Sequence, residues 1–132
     1  MEFTTEQAEY LTAHQWATLA TGRKDGSPQV SMIGYALDGN ELLVTFRRAS
    51  AKYRNISRQP RVALVVADGR RALTVYGEAE LIEQDPRRVE VFAQILGRFG
   101  APASPHDELA RQLDGEGRVV ARIHTTGADL HE

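Results

Sequence analysis

Alternating and continuous apolar segments along the chain predict a mainly β protein with short helices. Polar and apolar residues alternate over 16–21, and turn-forming residues at 24–27 separate this segment from a second β-prone segment at 29–33. The two segments are expected to form a hairpin. A further turn at 38–40 leads into a third strand over 41–46. The first half of the chain is therefore predicted to be an antiparallel meander of three strands.

Three more strands are predicted in the second half. An apolar run at 62–66 suits a buried strand, a longer strand follows over 72–82, and a final strand runs from Arg118 to His124. Gly77, in the middle of the longer strand, indicates a bend or a close approach of another backbone. About six antiparallel strands joined mainly by short turns favour a closed or nearly closed barrel, because closure removes exposed edges.

Two helix starts near the N-terminal and central parts of the chain carry capping residues. Thr4 can cap a first helix that runs to about His14, and Gln7 can reach back to complete a capping box. Ser50 stands where an N-cap belongs, so residues 51–56 are predicted to form a short helix.

Two further helices are expected after the longest strand. Asp85 at the N-cap and Pro86 at the first helical position indicate a helix whose apolar stripe ends before Gly97. A short helix from about 107 to 113 precedes the last strand.

The composition limits the chemistry available to the chain. With 132 residues, the chain can bury one core, so residues 1–132 are expected to be a single domain. The absence of cysteine excludes disulfides, thiolate metal sites and thiol catalysis. No apolar run is long enough for a membrane helix and the N-terminus does not resemble a signal peptide, so the expected location is cytoplasmic, away from the membrane.

The charge distribution points to one local anion site. The net charge of −2 disfavours a general nucleic-acid-binding role. No acidic residue occurs between Phe46 and Ala67, however, and six basic residues lie in the segment 47–61. A strand ends there and a helix begins at Ser50. The free N–H groups at the start of the helix and the positive end of its dipole favour binding of a phosphate. On the residues alone, a solvated basic helix face that pairs with acids elsewhere is an equal alternative.

The order of short motifs resembles the split-barrel family of pyridoxamine-phosphate-oxidase-like proteins, especially its branch of coenzyme F420-dependent reductases. The motifs are Leu19-Ala20-Thr21, Asp25-Gly26-Ser27-Pro28-Gln29-Val30-Ser31, Leu42-Leu43-Val44-Thr45, Ser50-Ala51-Lys52-Tyr53-Arg54-Asn55-Ile56, Pro60-Arg61-Val62-Ala63-Leu64 and Gly77-Glu78-Ala79-Glu80-Leu81. The resemblance covers about residues 5–125.

The resemblance implies a homodimer of split β-barrels with two cofactor sites in grooves at the subunit interface. By position, Ser50 and Lys52 would hold the cofactor phosphate, with Arg47 and Arg54 close by, and the strand 29–32 would lie along the ring. The cofactor-binding residues implied in this way are Gln29, Val30, Ser31, Met32, Thr45, Arg47, Ser50, Ala51, Lys52 and Arg54.

Other positions receive different roles. Asn55 is expected to tie the helix to the barrel, and Arg48 and Arg58 are weaker candidates for contact with an acidic cofactor tail. Pyridoxamine-phosphate oxidases proper end in a basic, tryptophan-bearing segment that this chain lacks, which disfavours vitamin B6 oxidation. Arginine outnumbers lysine fourteen to two and alanine is plentiful, a composition compatible with an actinobacterial source, where the deazaflavin is common. This favours coenzyme F420 over FMN.

The expected function is hydride transfer from the reduced deazaflavin to a small organic acceptor. An FMN-dependent oxidase or reductase and a flavin or haem carrier without turnover are the alternatives. No catalytic residue is assigned, because neither Ser31 nor Ser50 has neighbouring residues that would make it a nucleophile. No metal site is predicted either. None of the four histidines has ligand spacing: His14 is expected to end a helix, His106 to lie in a loop, His124 to end a strand and His131 to lie in a frayed tail.

The aromatic residues outside these motifs are interpreted by their usual roles. Trp16 and Tyr35 are expected in the core or an interface. Tyr53 and Tyr76 are left open as residues of the cofactor groove.

Overall fold

The computed structural model describes residues 1–132, which form four helices and seven strands. In chain order they are α1 (Thr5–Ala13), β1 (Trp16–Gly22), β2 (Pro28–Gly34), β3 (Ala36–Asp38), β4 (Glu41–Arg47), α2 (Ala51–Arg58), β5 (Arg61–Asp68), β6 (Arg71–Ile82), α3 (Arg87–Arg98), α4 (His106–Glu116) and β7 (Arg118–His131).

All seven strands belong to one antiparallel sheet in the order β2-β1-β5-β6-β7-β4-β3. The sheet curls so that β2 approaches β4 without pairing with it, which makes a split barrel as the resemblance implied. The predicted three-stranded meander is wrong, because β4 pairs with β7 and β3 instead of β2. Both faces of β4 are apolar over Leu42–Val44, and these residues are buried beside the apolar first half of β7.

The neighbouring strands β4 and β7 serve two hydrophobic layers. On β4, Leu42 and Val44 point into the barrel core, while Leu43 between them packs under α3 and α4. On β7, Val119 belongs to the barrel core and Val120 to the helical layer. Successive side chains of a strand point to opposite faces, so consecutive apolar residues in these strands place α3 and α4 against the outer face of the barrel.

Gly77 lies at a bulge where β6 crosses β7, as its position in the sequence indicated. The pairing register shifts between Tyr76 and Gly77. A Cβ atom at Gly77 would lie 2.7 Å from the backbone oxygen of His124. The prediction of a close backbone approach is confirmed.

The strand count and the C-terminal segments differ from the expectations. β3 adds a seventh strand, which is too short at three residues to produce an alternating pattern. β7 continues to His131, which pairs with Ala72, so the tail is not frayed. α4 begins at His106 and extends to Glu116. His106 therefore starts a helix instead of lying in a loop. His124 lies inside β7 instead of ending it, because β7 continues to pair with β6 as far as His131.

The helix caps follow the sequence closely, with one exception. Thr4 and Gln7 form the complete capping box of α1, and the Ser50 side chain accepts a hydrogen bond from the Tyr53 N–H at the start of α2. Asp85 was expected to cap α3, but Pro86 is the N-cap and has no side-chain bond. The Asp85 carboxylate instead accepts hydrogen bonds from the Arg88 guanidinium, at 2.9 Å to each oxygen.

The longest helix, α3, has 12 residues, and none of the four helices has the length and apolar character needed to span a bilayer.

Substituting Gly77 with alanine is expected to destabilise the fold by about 1–3 kcal/mol, because the added methyl group would meet the His124 backbone and the buried Ile123 side chain. Urea unfolding measures the change. Gly22→Ala is the matched control, since a Cβ atom there meets nothing within 4 Å. Equal stability of the two variants would contradict the close packing at the bulge.

Candidate functional site

A cavity of about 520 Å³ lies in the split between β2 and β4, with α3 on its outer side. Five of the ten sequence-predicted cofactor residues line it: Met32, Thr45, Arg47, Ser50 and Lys52. The other five, Gln29, Val30, Ser31, Ala51 and Arg54, lie beside it on the same elements but not in its lining. The structure thus brings the strand end, the helix start and part of β2 to one cavity.

The end of the cavity nearest α2 carries positive charge without a partner. Arg47 and Lys52 line the cavity and form no ion pair with a carboxylate. The backbone N–H groups of Ala51 and Lys52, in the first turn of α2, donate no hydrogen bond within the chain. Two cations and two free N–H groups at the positive end of a helix dipole form a suitable environment for an anion.

Ser50 fixes the loop between β4 and α2 at this end of the cavity. Its hydroxyl donates a hydrogen bond to the Arg47 carbonyl at 2.7 Å and accepts one from the Tyr53 N–H at 3.3 Å. The hydroxyl proton is therefore already committed, and in this arrangement Ser50 presents its neighbours' N–H groups to the cavity rather than its own O–H. Thr45 is similarly engaged, since its hydroxyl donates to the Val119 carbonyl at 2.8 Å.

Three further arginines of the basic segment already have partners. Arg48 forms an ion pair with Glu83 at 3.0 Å, and Arg54 donates to the Ala49 carbonyl. Arg58 donates to the Gly22 carbonyl and to the Asn55 side chain. These contacts give Arg48 and Arg58 structural roles, and their contact with an acidic cofactor tail stays a prediction.

Asn55 joins α2 to the barrel, as expected. Its side-chain amide donates hydrogen bonds to the Thr21 hydroxyl at 3.0 Å and to the Gln29 side-chain oxygen at 2.9 Å. Asn55 is buried in the second half of α2, so these bonds fix the helix relative to β1 and β2. Gln29 thereby supports the site through α2 instead of lining it.

β2 forms one edge of the sheet and offers a free strand edge and apolar side chains. Only β1 pairs with it, so alternate backbone groups on its outer edge have no strand partner. Val30 and Met32 are each 63% exposed, and Ser31 between them lies on the opposite face. Tyr76 is also an exposed aromatic residue, at 52%.

Two aromatic rings form part of the cavity wall. The rings of Trp16 and Phe99 meet edge to face, with centroids 5.5 Å apart. A Cβ atom on Gly34 would lie 2.6 Å from the tip of the Phe99 ring, which is too close for two carbon atoms. The ring can therefore keep this position only against a glycine. Tyr35, in contrast, is fully buried and its hydroxyl donates to the Leu11 carbonyl. Trp16 is therefore a cavity residue and Tyr35 a core residue.

Sequence reasoning missed the part of the cavity that α4 and β7 provide. Gln112, Glu116 and Arg118 line it, although they follow the basic segment by more than fifty residues. No local motif marks them. Only the pairing of β7 with β4, which places Arg118 directly opposite Arg47, brings them to the site.

A family model described as pyridoxamine 5'-phosphate oxidase matches residues 3–131, nearly the whole chain. The chain belongs to the pyridoxamine 5'-phosphate oxidase family. The resemblance seen in the sequence motifs is confirmed by this match.

Solved structures of similar proteins differ in the functions given to them. An F420 reductase shares 32% identity, with a TM-score of 0.66 over 87% of this chain and 89% of that chain. A conserved hypothetical protein from Mycobacterium tuberculosis shares 26% identity and a TM-score of 0.82, over 100% of this chain and 86% of that one. The haem storage protein HutZ from Vibrio cholerae shares the fold, at 20% identity and a TM-score of 0.70, over 98% and 95% of the two chains.

All four histidines of this family member lie outside the cavity, and no group of three or more histidine and carboxylate side chains is arranged to hold a metal ion. His124 is the most constrained. Its Nε2 atom lies 2.8 Å from a Glu80 oxygen, and its Nδ1 atom contacts Glu41. With both ring nitrogens facing carboxylates, the charged imidazolium is the favoured form.

The chain of ion pairs around His124 continues to both sides. Arg122 bonds to Asp38 and Glu41, and Arg87 of α3 bonds to Glu80. The hydrogen bond to Glu80, and then that to Glu41, raise the pKa of His124, although partial burial acts in the opposite direction. His124 is thus the member of this chain of charges whose ionisation changes near neutral pH.

We expect the stability due to His124 to be complete below about pH 6.5 and to be lost as the pH rises through its raised pKa in the folded protein. The effect should stay below about 1 kcal/mol, because the side chain is 48% exposed. Thermal or urea unfolding between about pH 6 and pH 9 measures it, and His124→Gln should flatten the curve.

His131→Gln is the control, since His131 also lies in β7 but is exposed and makes no side-chain hydrogen bond. Hydrogen bonds to the Tyr10 carbonyl and to Asp68 raise the pKa of His14 as well, so a smaller slope remains in both variants. Identical pH profiles for His124→Gln and wild type would show that the contacts to Glu41 and Glu80 contribute nothing.

Proposed function

We propose that this chain is a coenzyme F420-dependent oxidoreductase that reduces a small organic acceptor. The observation that supports this most strongly is that one cavity is lined both by the unpaired cations Arg47 and Lys52 and by the apolar residues Trp16, Met32 and Phe99. A ligand that carries a phosphate and a planar apolar ring matches both kinds of lining. The choice of the deazaflavin is supported by the 32% identity with an F420 reductase over 87% of the chain.

Different residues of the cavity would bind the phosphate and the ring of such a cofactor. Lys52, Arg47 and the free N–H groups at the start of α2 bind the phosphate, and Ser50 holds the loop that presents them. The exposed edge of β2 and the Met32 side chain orient the ring, and the apolar face of α3 keeps water away from it.

The reduced deazaflavin supplies a hydride when it is bound. Chemistry of this kind needs position and a dry site more than a catalytic acid and base. The cavity fits that requirement, since Glu116 is its single carboxylate and no histidine lines it.

We also propose that the active unit is a homodimer with the cofactor sites at its interface. The apolar side chains of Trp16, Val30 and Met32 are 57–63% exposed on β1 and β2, beside the mouth of the cavity. Such a contiguous apolar surface is typical of an interface. A partner on this face would cover the ring of the cofactor and complete the exclusion of water.

FMN is the second candidate cofactor. The cations and N–H groups at the α2 start would hold its phosphate equally well. A haem carrier is a further alternative, since the haem storage protein HutZ has the same fold. In this chain, a carrier role for haem has weaker support, because Met32 is the cavity's sole side chain of a type that commonly ligates haem iron.

Lys52→Ala should weaken binding of coenzyme F420 by about ten- to a hundredfold, because a charge-assisted hydrogen bond to the phosphate is lost. Titration of the wild type and the variant with coenzyme F420, FMN and haem, followed by absorbance and fluorescence, measures this. We expect coenzyme F420 to bind the wild type most tightly.

Lys24→Ala is the matched control. Lys24, the other lysine of the chain, lies exposed in the turn between β1 and β2, so its loss should leave affinity unchanged. Equal affinity of the Lys52 variant and the Lys24 variant would remove Lys52 from the site, and tightest binding of FMN or haem would replace the proposed cofactor.

The dimer has a separate test. We expect the mass in solution to be that of two chains, and Val30→Glu to give a monomer, because a charge at this exposed apolar position would be desolvated in the interface. Light scattering measures the mass, and the variant should also bind coenzyme F420 more weakly. A wild-type monomer with full affinity would contradict an interface site.

A further inference from the structure

Two arginines face each other at the end of the ladder between β4 and β7. Arg47 and Arg118 are direct cross-strand partners, so their side chains lie on the same face with Cβ atoms about 4.5–5.5 Å apart. Both side chains line the cavity. Like charges directly opposite each other on a sheet are destabilising, which makes this pair costly unless an anion lies between or beside them.

The rest of the chain does little to neutralise the pair. Arg47 has no carboxylate partner, and Arg118 has one contact, from its Nε atom to Glu116 Oε1 at 3.3 Å. The charged residues that line the cavity are Arg47, Lys52, Arg118 and Glu116. Their formal charges sum to +2, while the whole chain carries −2. The positive charge of this cavity is therefore a local feature.

The junction between α4 and β7 holds Arg118 in place before any ligand binds. Gly117 ends α4 in the left-handed conformation, with φ 62°, and its carbonyl accepts a hydrogen bond from the Arg48 N–H at 2.8 Å. This bond joins the junction to the loop before α2. The Arg118 side chain is 26% exposed, so its charge is partly shielded from solvent and acts more strongly on a ligand than a surface charge would.

We infer that Arg118 binds an anionic group of the ligand together with Arg47, and that Glu116 is a positioning residue that orients the Arg118 guanidinium. The inference rests on the proposed function, which it extends to a second wall of the cavity. The charge of the cavity fits a ligand with two negative charges close together. A phosphate monoester, as in FMN, and a phosphodiester beside a carboxylate, as in coenzyme F420, share this chemistry.

The test compares Arg118→Gln with Arg111→Gln. Arg111 is exposed on α4, outside the cavity, where it pairs with Asp107, so the control removes the same charge from the same part of the chain. Affinity is measured for coenzyme F420, for FMN and for riboflavin, which has the ring of FMN without its phosphate. We expect Arg118→Gln to weaken whichever phosphorylated cofactor the wild type binds by about tenfold or more and to leave riboflavin binding unchanged.

The two phosphorylated cofactors distinguish the sources of the anion. A loss confined to FMN would assign Arg118 to a phosphate monoester, and a loss confined to coenzyme F420 would assign it to the diester and its neighbouring carboxylate. Thermal unfolding of both apo variants shows whether they fold.

Glu116→Gln provides a test with the opposite sign. The amide oxygen can still accept the Arg118 Nε–H, so the guanidinium keeps its position while one negative charge leaves the cavity. Binding of the phosphorylated cofactors should tighten severalfold, and riboflavin binding should not change. Glu116→Ala removes the acceptor of the Arg118 Nε–H as well as the charge, so it should bind these cofactors less tightly than Glu116→Gln does. Equal binding by the two variants would overturn the positioning role given to Glu116.

The outcomes separate the inference from the proposed function. If the wild type binds a phosphorylated cofactor and Arg118→Gln binds it as well as Arg111→Gln does, the inference is wrong and the proposed function stands. If the wild type binds none of these cofactors, the proposed function fails. Inorganic pyrophosphate then tests the arginine pair alone, since it should raise the unfolding temperature of the wild type and of Arg111→Gln but not that of Arg118→Gln.

Discussion

The pairing of β4 with β7 determines the positions of most other parts of the molecule. Leu42 and Val44 on β4 contribute to the core of the barrel, and Leu43 contributes to the layer under α3 and α4. Because both faces of these strands are buried, their register cannot slip without exposing one of the two layers. The same register ends at Arg47 and Arg118, so the packing that stabilises the fold also brings two cations to one cavity.

Local signals predicted the parts of the fold that depend on short-range chemistry. The capping box at Thr4, the Ser50 cap and the constraint on Gly77 were all readable from neighbouring residues. The order of the strands was not, since β4 pairs with a strand that begins more than seventy residues later. The prediction of Asp85 as the N-cap of α3 was wrong, because the Asp85 carboxylate accepts hydrogen bonds from Arg88 and does not cap the helix.

In the candidate site, too, the features set by neighbouring residues were predictable and those set by strand pairing were not. Its α2 end could be predicted because a strand end, a serine cap and a cluster of cations are adjacent in the sequence. The roles of Arg48 and Arg58 could not, since their partners, Glu83 and the Gly22 carbonyl, come from other strands and loops. Arg118 and Glu116 had no local signal at all, and only the sheet topology places them at the cavity.

Trp16 gives the cavity its own optical signal. It is the only tryptophan in the chain, it lies at the cavity in edge contact with Phe99, and it is 57% exposed. Its emission therefore reports on the contact between β1 and the end of α3, whereas far-ultraviolet circular dichroism reports on the whole sheet. If α3 separates from the barrel before the sheet unfolds, the tryptophan transition precedes the dichroism transition, and the interval between the two measures how independently the cavity opens.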